Sequence, residues 1–147
     1  MFLRRGDDAG QAVLEVALFA PFMLVLLMAA IDLGRLSQFD TVLAASARAG
    51  AQYGSLNLVN AANTAGMTSA ATNEAQGSTA FTVTSSNFCQ CYGSTGTVTC
   101  TSTACATTHR MLFVKVSVSA TFVPLFHYFP GMTGLKPLRM ETMQVGQ

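Results

Sequence analysis

The sequence predicts an α+β protein in which one long N-terminal helix, part membrane-spanning and part amphipathic, packs on a small antiparallel sheet beside a disulfide-stapled loop. Three observations predict it. The run from Ala12 to Ile31 is about 20 residues with one charge, Glu15, enough to cross roughly 30 Å of hydrocarbon as a helix. Beyond that run, apolar and small residues recur at helical spacing. Near the far end, "RMLFVKVSVSATFV" (110 to 123) alternates residue by residue in the manner of a half-buried strand.

The chain has 147 residues, which suits one small domain and an anchor. Charged residues make up only 10% and the formal net charge is +1. No basic run with interleaved aromatics occurs, so the composition argues against nucleic acid as a partner. No phosphate-binding glycine loop, nucleophile elbow, zinc-protease motif or paired head carboxylates occur, and an enzyme is not expected. No cofactor or metal is expected either.

The expected organisation is a cytoplasmic leader over 1–10, a transmembrane helix over 11–33, its amphipathic continuation over 34–54 and an extracytoplasmic α+β head over 55–147. A cleaved secretory signal is the competing reading of the N-terminus. Asp7 and Asp8 are unusual in such a signal, and no small-x-small cleavage site precedes Asp32. Pro21 removes one helical hydrogen bond and is expected to kink the span. Asp32 and Arg35 close it as an i,i+3 interfacial pair. The flanking arginines, Arg4 and Arg5 against Arg35 and Arg48, leave orientation nearly tied by the positive-inside rule.

After the span, Leu36, Phe39, Leu43, Ala47, Gly50 and Gly54 define a narrow seam of one helix running from about Ala12 to Tyr53. Gly34, Gly50 and Gly54 are expected at close helix contacts. Arg48 is expected in solvent or against the sheet. Residues 55 to 77 read as a weaker helix or helix–loop mixture, with Leu58, Ala62, Ala65 and Thr72 as a shallow face. "STAFTVTS" is a strand through Phe81 and Val83. In the 110–123 strand, Leu112, Val114, Val116, Val118, Ala120 and Phe122 face inward, toward the helix. A last strand follows Pro137, which suits an edge or a strand start. Leu138 and Met140 share one side of it, with Met143 and Val145 out of phase, as a bulge or fraying would give. The aromatic stretch 122 to 132, with Phe122, Phe126, His127, Tyr128 and Phe129, is expected to cap the sheet end.

Cys89, Cys91, Cys100 and Cys105 all follow the span. Four cysteines in a small domain imply two disulfides, for which three connectivities exist, and an oxidising compartment. This breaks the tie in orientation: the head faces the periplasm or the outside. A turn at Gly93–Gly96 would set Tyr92 opposite Thr97 and Cys89 opposite Cys100, leaving Cys91 with Cys105. Zinc is the lesser alternative, because the usual C-x₂-C pairs are missing and His109 stands alone nearby. A Cys105–His109 catalytic pair has no evident orienting group.

The pattern "GQAVLEVALFAPFMLVLLMAAIDLGRL…ASARAGAQYG" resembles the TadE/TadG family, pseudopilin-like proteins of the tight-adherence (Flp pilus) apparatus. The resemblance is carried by Gly10, Gln11, Ala12, Glu15, Pro21, Asp32, Gly34, Arg35, Ala45, Ala47, Arg48, Gly50 and Ala51. It implies a pilin-like fold and a structural subunit assembling through its N-terminal helix. It also implies a bacterial inner-membrane location, with the N-terminus cytoplasmic, the head periplasmic and an extracellular filament as a further destination. The implied partners are membrane lipid, other pilin-like subunits in a homo- or hetero-oligomer, an inner-membrane assembly platform and a prepilin peptidase cutting between Gly10 and Gln11. In such filaments the glutamate, here Glu15, meets the new N-terminal amine of a neighbouring subunit. The alternative is a permanently anchored binding or adhesion module, neither cleaved nor polymerised.

Overall fold

The structure, a computed structural model, describes residues 7–75, 81–100, 105, 108–126 and 134–146. Helix α1 (Asp7–Ser55) has 49 residues, about 74 Å at 1.5 Å per residue. It continues through Pro21 without interruption. Every large apolar side chain from Val13 to Leu27 is exposed, so this half contributes nothing to the core. The second half does. Leu43, Ala47, Gly50 and Gly54 are buried as the seam predicts, joined by Ser46 and Ala51.

Two short helices follow. α2 (Leu58–Ala62) begins where the Asn57 side chain accepts the Asn60 N–H at 2.8 Å, and α3 (Thr64–Glu74) where Asn63 accepts the Gly66 N–H at 2.9 Å. Each cap satisfies an orphan donor of the first turn. The face they bury is Ala61, Met67 and Ala71, while Leu58, Ala62, Ala65 and Thr72 are exposed, contrary to the sequence expectation. The break at Asn63 resets the helical phase, and Met67 then supplies the one large apolar side chain that fills the contact.

That contact explains two of the three glycines. A Cβ at Gly50 would lie 2.8 Å from the Met67 carbonyl oxygen and 3.1 Å from Val116 Cγ1. One at Gly54 would strike the Met67 side chain and lie 3.1 Å from Val114 Cγ1. Gly34 differs from expectation: nothing lies within 4 Å of where its Cβ would be.

The sheet is antiparallel, ordered β2-β1-β3-β4, from β1 (Phe81–Cys91), β2 (Thr97–Val98), β3 (Arg110–Ala120) and β4 (Leu138–Gln144). β3 buries Val114, Val116, Val118 and Ala120 against the helices, and Phe122 beyond it. Val114 lies by Gly54, Val116 by Gly50, and the Phe122 ring is 5.8 Å from that of Phe39. β3 therefore runs antiparallel to α1, back toward the apolar half of the helix. The Phe81 ring, 6.2 Å from Phe39, starts β1 at that same end.

β4 is an edge strand starting just after Pro137. Its phase corrects the sequence reading. Met143 and Val145 are the inward residues, continuous with Glu141 and Arg139, whereas Leu138 and Met140 are 56% and 48% exposed. The register is regular, with Val114 opposite Met143 and Val118 opposite Arg139, and needs no bulge. Two charged residues occupy the inward phase because α1 offers them partners.

The β1–β2 hairpin is also offset from the expected register. Cys89 pairs with Val98 and Gln90 with Thr97, two residues away from the arrangement that set Cys89 opposite Cys100. The chain turns earlier: the Ser94 N–H donates to the Cys91 carbonyl at 3.0 Å, and Gly93 takes φ +79°, a conformation glycine adopts without steric cost. The disulfides join Cys89 to Cys100 and Cys91 to Cys105, with Cα separations of 5.3 and 5.7 Å. Of the aromatic stretch, Phe122 is buried and Phe126 half-buried; His127, Tyr128 and Phe129 lie outside the described residues.

Gly50→Ala should destabilise the head by about 1–3 kcal/mol, because the Met67 backbone must move. Gly34→Ala, with open space around it, should be neutral or stabilising by up to about 1 kcal/mol from helix propensity. Urea unfolding in detergent, followed by circular dichroism, measures both; equal effects would contradict the packing described.

Candidate functional site

The most constrained polar group lies where the bare half of α1 meets the head. Extending the seam one turn back from Leu36 places Asp32 on the head-facing side, and its side chain is 1% exposed. It accepts the Leu125 N–H at 2.9 Å on Oδ1 and the Phe126 N–H at 3.0 Å on Oδ2. Arg35 Nη1 donates to Oδ1 at 3.4 Å, with 45% of the Arg35 side chain exposed. A carboxylate out of water is costly unless its oxygens are satisfied by donors. Two backbone amides and a guanidinium satisfy these, as charge-assisted hydrogen bonds.

The loop is shaped to deliver its amides. Pro124 is buried and biases Val123 toward extended backbone. The Phe122 N–H donates to the Leu135 carbonyl at 2.8 Å, tying the loop to the segment that leads into β4. The Arg35 guanidinium carbon stands 5.9 Å from the centre of the buried Phe122 ring, within cation–π range. The sequence reading found the Asp32–Arg35 pair as an i,i+3 contact and missed the larger part, the two amides more than ninety residues away. The available signal was the phase of Asp32 with Leu36, Phe39 and Leu43.

Two further ion pairs fasten β4 to the helix. Arg139 is bidentate on Asp40, with Nε 2.7 Å from Oδ1 and Nη2 on Oδ2. Arg48 Nε lies 3.1 Å from Glu141 Oε1. Hydrogen bonding to Arg139 and its charge hold the Asp40 carboxyl below the usual carboxylate range, against partial burial, and raise the Arg139 guanidinium in turn. Glu74 borders the same open cleft as Arg48 and Glu141.

The remaining sequence-predicted residues stand apart. Gly10, Gln11, Glu15 and Pro21 lie on the exposed surface of α1, and Glu15 is about 26 Å of helix from Asp32. The disulfides lie at the end of β1 away from Phe39. Among the described residues, no group of three or more His, Cys, Asp or Glu side chains could hold a metal ion.

An apolar helix long enough to cross a membrane, continued as the spine of a small antiparallel sheet with a disulfide-stapled loop, is a pilin-like α+β fold. More particularly, residues 10–52 match the family model described as TadE-like protein, the resemblance that the residue pattern carries. Neither a curated protein nor a solved structure matches the chain.

Asp32→Ala should leave the Leu125 and Phe126 amides without an acceptor. Their hydrogen exchange should then accelerate while that of β3 changes little; unchanged protection would show that another group holds the loop. Asp40 contributes through a lowered folded pKa, so its contribution is complete above its unfolded value of about 3.9 and fades as pH falls through the lower folded value. Asp40→Asn should therefore cost about 1 kcal/mol or less at neutral pH. The difference from wild type should close below about pH 4 in thermal melts, and a difference that widened on acidification would contradict this linkage.

Proposed function

We propose that this chain is a membrane-inserted pseudopilin- or minor-pilin-like structural subunit of a tight-adherence (Flp-type) pilus or secretion apparatus, assembling through its N-terminal helix. The observation that carries the reading is a coincidence of two boundaries. The TadE-like match begins at Gly10 and ends at Gln52, so it covers the bare apolar half of α1 from Gly10 onward and the seam as far as Ala51. In this reading residues 1–10 are a cytoplasmic leader, 11–33 the span, 34–54 its continuation and 55–147 a periplasmic head in a bacterial inner membrane. Oxidised cysteines in the head and none before the span support that orientation.

Assembly supplies a use for the exposed face of α1 and for Glu15. A lone carboxylate near the start of a span is costly in hydrocarbon. Cleavage between Gly10 and Gln11 by a prepilin peptidase would create an amine at Gln11, and the amine of a neighbouring subunit would offset the charge of Glu15. A copy out of register would leave the charge unpaired, so the pair sets register. Pro21 leaves the Ala17 carbonyl without its usual donor and would kink the span there. One feature favours the alternative of a permanently anchored binding module: Val16 follows Glu15, where the resemblance implies a preference for an aromatic residue in processed members.

Mass spectrometry of the native chain separates the two. A mature terminus at Gln11, with protein recovered in sheared filaments or bound to the assembly platform, supports the subunit. An intact leader on strictly membrane-bound monomer supports the anchored module. Glu15→Ala should insert into the membrane normally and be lost from the assembly; undiminished incorporation would remove the register role.

A further inference from the structure

We propose that the loop Thr121–Phe126 is a lipid-docking surface that lays the head against the outer leaflet, with Val123 and Leu125 entering the boundary between headgroups and acyl chains. The proposal rests on the reading of α1 as a membrane span. Its own evidence is the change in character of the chain along β3 and beyond. From Lys115 to Thr121 the residues alternating with the buried Val114, Val116, Val118, Ala120 and Phe122 are Lys115, Ser117, Ser119 and Thr121, all polar. Past Thr121 the alternation continues, with Phe122 and Pro124 buried and Val123 and Leu125 outward, but the outward side becomes apolar. Val123 is 63% exposed and Leu125 59%.

The switch occurs at a definite depth. β3 and its extension descend along α1 from Gly54 past Gly50 to Phe39, and Asp32, the residue after the apolar run, then fixes the Leu125 and Phe126 amides. Asp32 accepts from these backbone amides directly, so the loop has little freedom to withdraw from that level. Outward apolar side chains there stand at the level of Ile31 and Leu33, the residues flanking Asp32, themselves 43% and 53% exposed on the helix. Arg35, half in solvent on the adjoining face with Gln38 and Thr121, stands at headgroup height as a cation for phosphate. Apolar side chains inserted shallowly beside a basic group are the ordinary chemistry of interfacial attachment. A protein partner would require no such match between the outward pattern and the depth of the span.

The chain contains no tryptophan, so a single introduced indole reports without background. Val123→Trp, Leu27→Trp and Val59→Trp would each be reconstituted as the full chain in phosphatidylcholine vesicles whose acyl chains are brominated near the carbonyl end. Val59 is 78% exposed on α2, beyond the end of α1 remote from the span. The expected result is a blue-shifted Val123→Trp emission, lost to brominated lipid and sheltered from aqueous iodide. Leu27→Trp should also lose emission to brominated lipid, and Val59→Trp only to iodide. Leu125→Trp should repeat the Val123→Trp result, which guards against one variant that folds poorly. If Val123→Trp and Leu125→Trp behave as Val59→Trp while Leu27→Trp is quenched by lipid, the docking surface is wrong and the span stands. If Leu27→Trp also escapes the lipid quencher, the span itself is wrong and the docking falls with it.

Discussion

The buried carboxylate of Asp32 is the constraint on which the placement of the head depends. Without it, the sheet would meet α1 only along the seam from Phe39 upward, and the loop leaving β3 would have no fixed depth. The two amides of Leu125 and Phe126 convert a helix residue into an anchor for a loop more than ninety residues later. The arrangement is costly to alter at one side only, since removing the acceptor strands two donors. It also decides the sign of an otherwise ambiguous residue. An acid at the end of an apolar run is usually a boundary marker facing water, and here it faces the protein.

Upward from that anchor, the fold is held by closeness rather than bulk. The core side of α1 is Leu43 followed by Ala47, Gly50, Ala51 and Gly54, and the narrow seam lets Met67 and the valines of β3 approach the helix backbone. Burial of Val114, Val116 and Val118 then supplies the apolar contact that the helix cannot. At the margin of the sheet the logic changes. Arg139 and Glu141 point toward the helix from the edge strand and engage Asp40 and Arg48. Charges directed inward on an edge strand discourage pairing with a foreign strand, so these contacts both close the sheet onto α1 and protect its open side.

Much of this was legible in the sequence. The seam at Leu43, Ala47, Gly50 and Gly54 and the inward set of β3 follow from periodicities of 3.6 and 2, and the edge position of β4 from the missing N–H of Pro137. The TadE-like character of residues 10–52 followed from particular residues in a particular order. What escaped reading was decided partly by partners distant in the chain and partly by local caps and turns. The phase of β4 reads wrongly from hydrophobicity, because Arg139 and Glu141 occupy inward positions that only Asp40 and Arg48 make acceptable. The face of α2 and α3 reads wrongly because the Asn63 cap divides what looks like one helix. The hairpin register shifts because a turn at Gly93 and the closing disulfides choose it together. Gly34 looks like its neighbours and packs against nothing. Asp32 was legible as a pair with Arg35 and illegible as an acceptor, since backbone amides leave no mark in a sequence.

The absence of a joint between the apolar and seam-bearing halves of α1 has a mechanical consequence. One continuous helix carries both, and the head grips it at Asp32, Asp40, Arg48 and Gly54, over about 33 Å of its length. Torque therefore passes between bilayer and head with little slack. In the proposed assembly, whatever azimuth the helix adopts among its neighbours in the lipid would be imposed on the sheet above. The sides of adjacent heads that come face to face would thereby be chosen within the membrane, before the heads touch.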